Sequence, residues 1–371
     1  MIALILSLVL HVHPGECINA ALDSARGVYA AKGERTTILI EPGTYQEELT
    51  IDVPGLKLKG TSRKQPAKIT WYYGHGYQYR SMGGTINYGG SRTRRWNASV
   101  LVTAPDFYAE NIIFENSFNL YVSEKEAQDS LYEVQRDKVQ STKEKGKGKV
   151  MPVRPKEVGS TIVSTKAYRE RAAAISFTET ARNAHLKNCQ AIGKQDVLYG
   201  DQGASIWWEG GVLSGGVDFI FGAMTLCVDR ATIIANITDE KGDKCYISAG
   251  RSGGDQEPNP DPSLKGRGML FYKCHIQSPV AGQVWLARPW RWWGETVWAY
   301  TTWDEGVLNP EAWNTGLIKK RDDFNPENPC PYSYEYKSQD GSAGRPKWVS
   351  VLRKPILPDG TRLTPKAWLG R

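Results

Sequence analysis

The chain has 371 residues, room for one large domain or two modest ones, and its 37 Gly, 20 Pro, 18 Tyr and 13 Trp suit an all-β chain rich in turns. Net charge is +7, but residues 136–156 alone hold eight Lys/Arg against Asp137 and Glu144. That excess reads as one solvated, mobile loop, which lacks the aromatic or folded context of a nucleic-acid patch yet can attract an acidic polysaccharide.

Residues 1–15 are either the remnant of a signal peptide or a first strand. The first ten are apolar but lack a basic start and a clean cleavage site, and they are too short to span a bilayer. Residues 8–12 also alternate into Pro14-Gly15 as a strand would. Residues 18–31 carry helical spacing (Ile18, Ala21, Leu22, Ala25, Tyr29) and stop before Gly33, which predicts one short helix. Strands follow at 36–40, 49–53 and 56–60, and residues 61–97, rich in Gly, Tyr and Arg, read as a long irregular loop.

From Ser99 onward short strands alternate with brief turns, interrupted by a basic insertion at about 121–166. The rhythm resumes at 172 and continues past 300 with almost no helix, which excludes βαβ folds and leaves a sandwich, a propeller or a β-helix. Punctuation such as Asn111-Ile112 and Asn188-Cys189 favours a solenoid of stacked coils. Six widely spaced cysteines (17, 189, 227, 245, 274, 330) include no C-x-x-C, which argues against a metal cage and leaves one or two disulfides open. The sequons at Asn97 and Asn236 are of a kind frequent by chance.

Three stretches stand out chemically. Val217-Asp218-Phe219-Ile220-Phe221-Gly222 sets an acid inside a run that otherwise reads as buried strand. A lone buried carboxylate is expensive, so Asp218 needs an outward orientation or a partner. Gln195-Asp196 lies 22 residues upstream, about one solenoid coil, and Leu286-Ala287-Arg288-Pro289-Trp290 supplies a cation able to fork onto a carboxylate. On adjacent coils about 4.8 Å apart the two acids would emerge side by side, and one of them would be held protonated. Taken alone, Asp218 and Arg288 read more simply as a structural ion pair; the second acid one coil away tips the reading toward catalysis.

These blocks, with Gly43-Thr44-Tyr45-Gln46-Glu47, resemble in kind and order the signature segments of pectin methylesterases, over about residues 20–316. The resemblance implies an all-β, right-handed parallel β-helix of single strands, with long loops and a short N-terminal helix, in one domain spanning 16–371. It implies hydrolysis of the C6 methyl ester of galacturonate units in pectin, with Asp218 as nucleophile aimed by Arg288, Asp196 as general acid and then base, and Gln195 in the oxyanion hole. Tyr199, Phe221, Trp290 and Trp313 match positions that contact the sugar, whereas core or edge roles suit Trp292, Trp293, Trp298 and Trp303. No metal or organic cofactor is required, no membrane span is expected, and a secreted or periplasmic monomer acting on pectin follows.

Two departures stand out. Arg171-Ala172-Ala173-Ala174-Ile175 places an Arg where plant-type relatives carry a Gln, and Ala287 replaces the usual Gly. Arg171 can stabilise an oxyanion, alter the substrate, or pair with a carboxylate and quench the site. The alternatives are a polysaccharide lyase, for which no calcium-like acidic cluster surrounds Asp196 and Asp218; a glycoside hydrolase, which also uses two carboxylates; an esterase for another polysaccharide; and a non-catalytic binding solenoid.

Overall fold

The computed structural model describes residues 8–83, 97–135, 139, 153–251, 267–291, 294–320, 324–330 and 332–371. The chain divides into two compact units, Met1–Gly193 and Lys194–Arg371.

In the first unit three parallel sheets build successive coils. One contains Leu8–Val12, Thr36–Ile40, Lys57–Gly60, Tyr108–Glu110 and Ala184–Lys187. A second contains Thr44–Gln46, Ala67–Trp71, Ile112–Asn116 and Gln190–Ile192, and a third Leu49–Ile51, Val100–Val102 and Ile175–Phe177. Residues 8–12 are thus a first strand; residues 1–7 lie outside the described residues. Alternation drives the stacking: Thr36, Ile38 and Ile40 are fully buried and the residues between them half-buried.

The helix forms where its spacing predicts it, at Ile18–Lys32, and ends on Gly33 in the left-handed region. Cys17 at its start supplies no side-chain cap. The orphaned amides are instead met by Glu47, whose carboxylate accepts from the backbone N–H groups of Ile18 (2.8 Å) and Asn19 (3.0 Å). The acid of the Gly43–Glu47 block therefore works as a helix cap supplied from the next coil.

The 61–97 stretch is not one irregular loop. It contains the strand Ala67–Trp71 and the strand Tyr77–Tyr79, which pairs antiparallel with Leu131–Val134; residues 84–96 lie outside the described residues. The second strand was hidden because Tyr77 and Tyr79 serve a satellite core with Tyr72, Tyr73 and Phe118, whereas Ala67–Trp71 stacks in a coil sheet and leads into that aromatic stretch. Arg154, counted among the solvated charges of the basic insertion, is buried there. It donates to Glu126 at 2.7 Å and lies 3.7 Å from the Phe118 ring centre, while Tyr79 also donates to Glu126. Most of the insertion's other cations, at 136–138 and 140–152, lie outside the described residues.

The second unit repeats the coil plan. Its sheets contain Ser205–Glu209, Thr225–Asp229, Met269–Tyr272, Thr296–Ala299, Ser333–Tyr336 and Ser350–Val351; Val212–Gly215, Thr232–Ala235, His275–Gln277 and Thr302–Trp303; and Leu198–Gly200, Ile220–Gly222, Cys245–Gly250 and Val284–Ala287. Corners recur at one register: Arg230, Lys273, Tyr300 and Lys337 all have φ near +50° and each follows the paired column Asp229, Tyr272, Ala299, Tyr336. Asn111 and Asn188 take the same conformation in the first unit, so the Asn punctuation marks left-handed corners, which Asn tolerates well. All six cysteines are free thiols, five of them buried. Trp298 is a core residue, stacked on Phe271 at 3.9 Å, and Trp303 is partly exposed in a two-residue strand; Trp292 and Trp293 lie outside the described residues.

Coil-to-coil contact leaves no room at Gly222. A Cβ there would sit 2.1 Å from the Gly200 carbonyl oxygen, and φ is +133°. Gly222→Ala is expected to destabilise the protein by about 2–5 kcal/mol through strain and overpacking. Urea titration would read this as a lower midpoint at unchanged slope; an unchanged midpoint would contradict the packing.

Candidate active site

Gln195, Asp196 and Asp218 lie on neighbouring coils of the second unit. Gln195 bridges Val217 in parallel register, and the Asp196 amide donates to the Val217 carbonyl oxygen at 3.3 Å. The two aspartates therefore stack, and both are in the left-handed region, at φ +54° and +49°. On its other side the same chain is out of step. Ile220 pairs with Ser248, yet the Tyr246 amide donates to Gly216, so the stretch through Asp218 holds one residue more than its partner strand. Asp218 is a bulge residue, and the bulge re-aims its carboxylate. Of the two ways open to a buried Asp218, an outward position on a strand or a partner, the chain uses a bulge together with the Arg288 partner.

Arg288 closes the group. Its amide donates to the Ser248 carbonyl oxygen at 2.8 Å, which anchors it after the strand Val284–Ala287. Its Nε donates to Asp218 Oδ1 at 3.0 Å and Nη2 donates to Oδ2, a two-pronged fork. The guanidinium lies 3.9 Å from the Tyr246 ring centre, a cation–π support that sequence reading missed. The signal was hidden because the segment from Asp218 to Tyr246 is longer than the coil before it.

Burial dominates the electrostatics. Asp218 is 6% exposed and Asp196 4%. Burial pushes the Asp218 carboxyl above the usual aspartate value, with the Arg288 charge and its hydrogen bonds pulling the other way. For Arg288 burial disfavours the cation, but Asp218, and Asp196 after it, outweigh that and hold it charged.

The aromatic candidates divide. Tyr199 and Phe221 are register partners with ring centres 5.2 Å apart, and Phe221 meets the Trp290 edge at 5.1 Å. Tyr199 and Phe221 are 3% and 2% exposed, and Trp290 is half-buried between Arg251 and Arg291. Trp313 is 1% exposed and its indole donates to Glu335. Its ring is packed in the protein rather than offered to a sugar, so the cleft-lining expectation for Trp313 is corrected. Arg171 lies in the first unit, where its backbone N–H and its Nε both donate to the fully buried Glu170 carboxylate, at 3.0 and 3.1 Å.

The pectinesterase family model matches residues 159–350, just over half of the chain and the whole stretch from Arg171 to Glu335. The chain belongs to the pectinesterase family. Among Arabidopsis thaliana relatives it is 28% identical to Pectinesterase 31 over 162 residues, 43% of this chain and 45% of that protein, and 24% identical to Putative pectinesterase 63 over 307 residues, 82% and 68% of the two. The chain thus spans less than half the length of Pectinesterase 31. Pectin methylesterase PemA from Erwinia chrysanthemi superposes with a TM-score of 0.60 at 21% identity, covering 98% of this chain and 96% of that one. A pectin methylesterase in complex with a hexasaccharide gives 0.59 at 20% identity, with 97% and 96% coverage. At these identities the structural likeness establishes the fold, a right-handed parallel β-helix.

Proposed function

We propose that this pectinesterase-family chain hydrolyses the methyl ester at C6 of galacturonate units in pectin, releasing methanol and leaving a free carboxylate. The observation that carries the reading is the stacked pair Asp196–Asp218 at one bulged corner, with Arg288 forked onto Asp218. The fork assigns the roles: Arg288 aims Asp218 and favours its charged form, and Asp196, stacked on it one coil away, moves the proton. Asp218 attacks the ester carbonyl carbon and an oxyanion forms, to which the Gln195 amide donates. The C–O bond to methanol breaks as Asp196 delivers a proton to the leaving oxygen. Water then gives its proton to Asp196, attacks the anhydride, and releases the galacturonate carboxylate and Asp218.

Trp290, with Phe221 and Tyr199 behind it, forms the aromatic side of the proposed sugar site. Arg171 enters on its chain position alone, and the Glu170 carboxylate competes for its guanidinium. If it serves the oxyanion, Arg171→Gln changes kcat; if Glu170 owns it, kcat stays within about twofold. Family membership favours a secreted or periplasmic protein, and no helix among the described residues is long and apolar enough to cross a membrane. A monomer suffices, since each unit buries its own core.

The test is methanol release from highly methylated pectin. Turnover by the wild type without production of new reducing ends supports the esterase and rejects the glycosidase, whereas pectin binding without turnover would leave a carbohydrate-binding solenoid. The pH profile is a second check. Attack needs ionised Asp218, whose pKa burial raises, so activity should fall on acidification already above the ordinary aspartate range of about 3.9. An acid limb at or below that range would contradict the assigned nucleophile.

A further inference from the structure

Glu335 is fully buried, and its carboxylate is saturated. Oε1 accepts from the Trp313 indole N–H (2.5 Å) and from Arg345 Nε (2.6 Å), and Oε2 accepts from the hydroxyls of Ser338 (2.5 Å) and Ser342 (3.0 Å). Arg345 is itself 4% exposed at its side chain and reaches on to Asp340. Burying a charge pair this thoroughly is weak evidence for stability, because apolar packing of equal volume often does as well. What such a network does supply is a fixed geometry, and the geometry it fixes leads to the active site. Trp313 bridges Ala287 in parallel register, next to Arg288. Around that bridge the Leu286 amide donates to Ala312 (2.7 Å), Asn314 to Ala287 (3.0 Å) and Leu317 to Pro289 (2.9 Å). The segment from Ala312 to Leu317 is the neighbour that holds the Arg288 backbone from one side, while Ser248 holds it from the other. Trp313 has little else to anchor its polar end, and Ala312 before it occupies φ +56°, a conformation Ala rarely adopts unaided.

We propose that Glu335 is a positioning residue for the Asp218–Arg288 fork, acting by clamping the Trp313 indole and so fixing the backbone that carries Arg288. The inference rests on the esterase reading above for its kinetic consequence, but not for its structural one. Trp313→Phe keeps an aromatic ring and removes the clamped N–H. Glu335→Gln keeps size and one acceptor while exchanging the other for a donor. Both are expected to lower kcat about 10- to 100-fold with KM within about twofold, as misplaced catalytic groups do. Both should also shift the acid limb to higher pH, because a loosened fork opposes the burial of Asp218 less well.

Leu363→Ala, in the apolar core under the C-terminal helix and remote in role from the fork, is the control for stability loss alone, with kcat per folded molecule and acid limb unchanged. If the Trp313 and Glu335 variants behave like this control, the clamp is structural only and the proposal fails. A double-mutant cycle on urea stability between Asp218→Asn and Glu335→Gln keeps the two readings apart. Should the wild type release no methanol, the esterase reading falls, yet non-additivity in the cycle still supports the clamp, and strict additivity overturns it.

Discussion

Asp218→Asn is expected to reduce methanol release by on the order of 10⁴-fold or more while the protein stays folded. Asparagine keeps the shape of the side chain and can still accept one prong of the Arg288 fork, so the bulge and the coil stacking around it persist. What it loses is the carboxylate oxygen proposed as nucleophile. The relevant comparison is with Asp196→Asn, which should retain the attack but lose the proton to the leaving group. Methanol is a poor leaving group without that proton, so the second variant is also slow. It differs by leaving attack on activated aryl esters less impaired, since those leave as anions. If Asp218→Asn turns over pectin at more than about a hundredth of the wild-type rate, the residue is not the nucleophile.

The second large effect falls on Arg288, and its two replacements should separate charge from shape. Arg288→Ala leaves Asp218 buried with its counter-ion gone, a change that costs about 3–5 kcal/mol when no partner replaces it. The carboxyl relieves itself by binding a proton, so the acid limb of any remaining activity climbs further. Because the folded-state pKa then lies still farther above the unfolded one, the folded form is favoured at low pH and loses stability as pH rises through the window between them. Arg288→Lys keeps the cation but not the two-pronged geometry or the planar face against Tyr246. It should restore much of the stability and leave activity about 10²- to 10³-fold down. Equal stability of the Ala variant and the wild type at pH 7 would show that the pair is far less buried than its 6% exposure at Asp218 indicates.

How much of this could be read from the chain follows from which physics is local. The short N-terminal helix was legible because its apolar period is contained in 15 residues, and the coil rhythm because strand alternation is local too. The acids and the arginine were legible as residues out of place in apolar frames, and the family blocks put them in one list. Their one-coil spacing also pointed to a stacked pair within reach of the arginine, but the bulge at Asp218 did not show. A bulge is a mismatch between two strands, so no single strand's pattern announces it. Trp313 could not be told from a sugar platform because its fate depends on Glu335, 22 residues away and reached only by the next coil. Arg154 looked like one more solvated cation, and only the folding of Glu126 and Phe118 onto it shows otherwise. The strand at 77–79 escaped because Tyr77 and Tyr79 serve a satellite core, and the strand at 67–71 because it runs directly into the aromatic stretch Trp71–Tyr73 of that same core.

The stacked corner also governs what this architecture can vary. Leu198, Ile220, Ser248 and Ala287 are consecutive rungs of one ladder, although 22, 28 and 39 residues separate them along the chain. The gap between the two acids is therefore metered by backbone hydrogen bonding, not by chain length. Segments between rungs can lengthen, shorten or change composition and reshape the surroundings of the proposed site, while the interval between the two acids stays the same. Chemistry and specificity are in this way held by different parts of the molecule, and substitution in one leaves the other's dimensions untouched.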